Sequence, residues 1–143
     1  MNFWELINSL ISGENQSEIT RRQSQIHHRS ASPISPDPNI YTYRPKDGST
    51  NYFQFSYHKI GEEKYEIDIH LLPDFKGRSK DIHTIHVLDS PRQARYKVCL
   101  KAGHEPKSFQ DAQELSKMYA ELINIYIKTN VTPDQQIAQQ SNN

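Results

Sequence analysis

Between residues 52 and 60 and again between 65 and 71 apolar and polar side chains alternate, and between 108 and 127 the apolar ones recur every three or four. A two-residue period lines one face of an extended strand, whereas a period near 3.6 lines one stripe of a helix. A chain holding both patterns must bury a one-sided sheet against a one-sided helix, which points to the α+β class.

Phe53, Phe55 and Tyr57 alternate with Gln54, Ser56 and His58, and Gly61-Glu62-Glu63 marks a turn. Tyr65, Ile67, Ile69 and Leu71 then alternate against Glu66, Asp68 and His70, the clearest strand pattern in the chain. Shorter strands are predicted around Tyr41 and Tyr43, over His83–Leu88, and over Arg95–Lys101 with Tyr96, Val98 and Leu100 inward. Pro73 to Asp81 reads as a loop. Ser108, with Asp111 three positions on, opens a helix of about five turns. Ala112, Leu115, Met118, Tyr119, Leu122, Ile123, Tyr126 and Ile127 form its apolar face, and Asn130 with Pro133 ends it. The expected domain spans residues 40–130: an antiparallel meander of four to five strands, covered on one face by the long C-terminal helix.

The flanks differ in kind. Phe3, Trp4, Leu6, Ile7, Leu10 and Ile11 predict a short amphipathic helix over 1–13, stopped by Gly13. Residues 14–39 are rich in Ser and Pro and poor in apolar groups, so a disordered linker is expected there. Its Arg21-Arg22-Gln23-Ser24 run and its Ser-Pro pairs resemble kinase targets, although an inert tether is the plainer reading. Residues 131–143 are expected to be a polar disordered tail. These arms explain why only 34% of the residues are hydrophobic, against roughly 45–50% in an ordinary domain.

Seventeen bases balance 17 acids, which excludes a uniformly basic or uniformly acidic protein. The balance is uneven along the chain: between Asp74 and Lys101 seven bases face three acids. A single cysteine, Cys99, allows no internal disulfide framework. No apolar run approaches the roughly 20 residues of a membrane span. Met1-Asn2-Phe3-Trp4-Glu5 lacks the basic region of a secretory signal, so a cytoplasmic location is expected.

Three kinds of chemistry could sit on the polar strand face or in the basic loop that follows it. His58, Asp68, His70 and His86 are suitable ligands for a divalent metal, although histidines on a solvated face are the plainer reading. His83-Thr84-Ile85-His86 has metal-like spacing only on a helix, because strand residues three apart point to opposite faces. Cys99 lies between Lys97 and Lys101, which would favour a thiolate nucleophile, with His70 or His86 as base and Asp68 as orienter. No local signature supports that arrangement, and a structural cysteine is the commoner case. Anion binding has the strongest local basis: Lys76, Arg78, Ser79 and Lys80 in a glycine-containing loop, with Arg95 and Lys97 nearby. The Walker spacing is absent. The expected function is a small binding module engaging a macromolecular partner, most simply a protein, or a phosphorylated ligand or single-stranded nucleic acid, through this basic region. The alternative is a metal- or histidine-assisted hydrolase or nuclease built on His58, Asp68, His70 and His86. No cofactor is expected beyond that divalent ion.

Overall fold

The structure is a computed structural model and describes residues 39–141. The helix expected over 1–13 and the linker expected over 14–39 therefore lie outside the described residues, Asn39 apart. In chain order the elements are β1 (Tyr41–Tyr43), β2 (Phe53–Gly61), β3 (Lys64–Leu71), α1 (Ile82–Ile85), β4 (Val87–Leu88), β5 (Tyr96–Val98), α2 (Phe109–Thr129) and α3 (Pro133–Ser141).

The five strands form one antiparallel sheet in the order β1-β2-β3-β5-β4. The sheet and its covering helix follow the sequence pattern, while β5 pairs with β3 and leaves β4 at the edge. Phe53, Phe55, Ile67 and Ile69 are fully buried beneath α2, where Ala112, Leu115, Tyr119, Ile123, Tyr126 and Ile127 meet them. Each large apolar side chain buried in this way contributes about 1.5–3 kcal/mol relative to exposure. Ser108 caps α2 by accepting the Asp111 N–H at 3.0 Å. Asn130 ends it in the left-handed region at φ 64°, a conformation that asparagine tolerates.

Two segments depart from expectation. The strand predicted over His83–Leu88 is reduced to Val87–Leu88 and preceded by a helical turn. Asp81 causes this: its carboxylate accepts the N–H groups of His83 and Thr84, and Ile82 and Ile85 then share helical spacing, with Ile85 fully buried. The strand predicted over Arg95–Lys101 is likewise shorter, covering Tyr96–Val98. The segment 131–143, expected as a disordered tail, instead carries α3, which packs on the domain through Ile137, only 3% exposed. Gln136 fixes it further by donating to the Leu122 and Val131 carbonyls. No helix of the described residues is long and apolar enough to cross a membrane.

Candidate functional site

Register decides which loops meet. Tyr43 pairs with Phe53, Gln54 with Leu71, Ile69 with Tyr96 and Leu88 with Lys97. The ends of β1, β3 and β4 therefore lie together with the starts of β2 and β5, at one end of the sheet. Three connections leave from that end: 44–52, 72–81 and 89–95. Together they hold seven bases (Arg44, Lys46, Lys76, Arg78, Lys80, Arg92, Arg95) and four acids (Asp47, Asp74, Asp81, Asp89).

The basic loop is tied to the domain by hydrogen bonds and packing. Arg78 N–H donates to the Phe75 carbonyl at 3.0 Å, closing a turn whose central residues Lys76 and Gly77 both have positive φ. Those dihedrals belong to a type I′ turn, which a glycine at the second position accommodates. Phe75 anchors the loop in the core against Tyr126, and the Tyr126 hydroxyl donates to the Ser79 carbonyl. Arg78 Nε donates to the Ile127 carbonyl near the C-terminal end of α2, a place where helix dipole and orphan carbonyls favour a cation. Arg78 is thus partly occupied, and Ser79 Oγ accepts from the Asp81 N–H. Lys80 lies over the Phe75 ring, Arg95 over Tyr96 and Arg44 over Tyr52. The acids at this end are largely used inside the domain. Asp81 caps α1, Asp74 accepts the Lys76 N–H, and Asp47 binds Lys128 and Asn124. Arg44, Lys46, Lys76, Lys80 and Arg95 are exposed and have no ion pair with a carboxylate among the described residues.

The polar face of the sheet holds the second constellation. Alternation along β2 and β3, with Asp68 opposite both Ser56 and Lys97, gathers Ser56, His58, Glu66, Asp68, His70 and Lys97. This face is not open as the sequence implied, since Ser56 is fully buried and Asp68 is 1% exposed. The 89–95 connection folds over part of it as a strap. Ser90 Oγ donates to Asp68 at 2.9 Å, and Arg92 donates to both Asp68 oxygens at 2.8 and 2.9 Å and to Glu66 at 2.8 Å. Lys97 completes the group with a 2.7 Å bond to Glu66. Burial raises the Asp68 pKa, but hydrogen bonds from Arg92 and Ser90, and the charges of Arg92 and His58, outweigh it. The net result is a carboxyl held below its ordinary value. Glu66 is lowered likewise, with Lys97 and Arg92 overcoming burial.

His58 and His70 converge on one atom: both Nε2 atoms lie 2.7 Å from Ser56 Oγ. His58 Nε2 also lies 3.1 Å from Asp68 Oδ2. The residue types match a serine-histidine-aspartate triad, but the geometry does not. In a triad separate imidazole nitrogens serve the serine and the acid; here a single nitrogen faces both, and the hydroxyl is enclosed.

His86 does not join them. It caps α1 with φ 56°, and its Nε2 lies 2.9 Å from Asp134 on α3. The four-ligand cluster of His58, Asp68, His70 and His86 is therefore not assembled, and among the described residues no group of three or more His, Cys, Asp or Glu is placed to hold a metal. Cys99 packs against the apolar core, with its N–H on the His86 carbonyl. Its expected helpers are engaged elsewhere: His70 with Ser56, Asp68 with Arg92, and His86 with Asp134. Lys97 and Arg78, expected in one anion site, lie on opposite sides of the sheet, Lys97 on Glu66 and Arg78 on α2. Ser90 and Arg92 were absent from the sequence-based candidates, because a long-range ion pair leaves no local pattern. The Asp81 cap before Ile82 and Ile85 was the signal that would have removed His86 from the strand face. No family model, curated protein or solved structure matches the chain, so its role has to be read from its own geometry.

Proposed function

We propose that the protein is a binding module for a polyanion, single-stranded nucleic acid being the form that uses most of its surface, met at the end of the sheet where the three connections gather. The supporting observation is the set of exposed cations Arg44, Lys46, Lys76, Lys80 and Arg95, whose charged side-chain ends have no ion pair with a carboxylate among the described residues while neighbouring acids are used internally. A five-stranded sheet is about 19 Å wide, so cations on three of its connections suit a chain of phosphates better than one phosphate. Tyr52, 37% exposed beside Arg44, offers a ring for stacking. The hydrolytic alternative finds no comparable support, since His86 bonds Asp134 away from His58 and His70, and Asp68 is buried against Arg92.

Fluorescence anisotropy with a labelled single-stranded oligonucleotide tests this. If about four phosphates are neutralised, log Kd should rise with log salt with a slope of about 3, and Lys76→Ala or Lys80→Ala should each lower that slope by about 0.7. Lys64→Ala, at the β2–β3 turn at the opposite end of the sheet, should leave it unchanged. Absence of salt-dependent binding overturns the proposal. Equal binding of heparin and the oligonucleotide retains a polyanion site but removes the preference for bases.

A further inference from the structure

The hydrogen count at Ser56 has a consequence for pH. An ionised carboxylate only accepts, so the His58 nitrogen facing Asp68 must carry its hydrogen. That N–H also points at Ser56 Oγ, so the Ser56 hydroxyl gives its single hydrogen to His70 Nε2. With both rings neutral the chain from Arg92 through Asp68, His58 and Ser56 to His70 is satisfied at every link. A proton added at His70 Nε2 reverses the last bond. Two N–H groups then face one oxygen, and the enclosed hydroxyl loses its acceptor.

Charge acts in the same direction. The groups facing this cluster are Glu66 and Asp68 from β3, Lys97 from β5 and Arg92 from the strap. Two acids balance two bases while the imidazoles are neutral, whereas full protonation sets four cations against two acids around a buried hydroxyl. The side-chain hydrogen bonds from the strap to the sheet, those of Ser90 and Arg92, end on Asp68 and Glu66. Arg92 is thus the partner that an added positive charge repels.

We propose that the Ser56-bridged pair of His58 and His70 is a proton-operated latch, which releases the 89–95 strap from the sheet on mild acidification. Burial is the largest influence on His58, and Arg92 and His70 reinforce it against Asp68, so its pKa lies below the ordinary 6.5. The sign follows: a histidine kept neutral in the fold contributes stability above pH 6.5, and that contribution is lost as pH falls below this value. Glu66 and Asp68 stay ionised in this range because both are lowered from carboxylate values.

The test is NMR on the full chain, following the ring Cε1–H signals of His58 and His70 and the amides of Arg92, Gln93 and Ala94 from about pH 7.5 to about pH 5. The expected result is that the strap amides move toward unstructured-chain shifts on the same titration curve as the His58 ring. Strap amides that stay fixed while the rings titrate overturn the latch. The double variant His58→Gln/His70→Gln cannot gain charge here, so its strap should show no transition in that range. A strap transition that persists in the folded double variant also overturns it. If that variant does not fold, the wild-type comparison of curves decides alone.

Discussion

Replacing Arg92 by methionine tests the electrostatic organisation of the polar face directly. Methionine retains much of the side-chain volume but removes two hydrogen bonds to Asp68 and one to Glu66. Asp68 would then remain 1% exposed beneath its former partner, supported only by Ser90 and His58. Removing one member of a buried ion pair costs about 3–5 kcal/mol, and the quarter exposure of Arg92 together with the two surviving partners places this case near 3 kcal/mol. Urea unfolding at neutral pH, followed by circular dichroism, measures the loss. Domains of this size are stable by about 5–15 kcal/mol, so the variant should stay folded with a clearly lower midpoint. Adding Asp68→Asn should recover about 1–2 kcal/mol, because the amide is neutral and the uncompensated charge is gone. The loss should also shrink in acid. The Asp68 carboxyl is lowered from 3.8, so the stability due to its ionised form is present above that value and fades as pH falls through the folded-state value. A change below about 1 kcal/mol for Arg92→Met would refute the reasoning, as would a double variant less stable than the single one.

Two further substitutions probe the helical layer that covers the apolar side of the sheet. Tyr119→Phe removes a fully buried hydroxyl that donates to the Ile85 carbonyl at 2.8 Å, and should cost about 1–2 kcal/mol in urea unfolding; a neutral effect would mean that the bond does not fix α1 to α2. Ile137→Ala should cost about 2–4 kcal/mol and raise amide exchange across 133–141 first, whereas unchanged exchange there would separate α3 from the cooperative unit.

Helix α2 was legible because its signals are local: a 3.6-residue apolar repeat, the Ser108 cap and the Asn130 stop. The β2 and β3 strands were legible for the same reason, and their alternation correctly placed Ser56, His58, Glu66, Asp68 and His70 on one face. The 83–88 segment was misread because Ile85 and Val87 imitate alternation, while the capping carboxylate of Asp81 favoured a helical turn. Helix α3 was missed because residues 133–141 hold so little apolar surface; Ile137 becomes decisive only when the domain provides a place to bury it.

The sequence by itself determined which side chains point the same way, because the pleat and the helical turn are set by neighbours along the chain. The tertiary structure alone decided what covers each face. Strap residues Ser90 and Arg92 reach Asp68 across more than 20 positions, and the sheet register sets the loops carrying Lys76, Arg95 and Arg44 at one end. The hydrogen bonds and charges that fix such contacts act through space, and their energies depend on burial that exists only after the chain has folded.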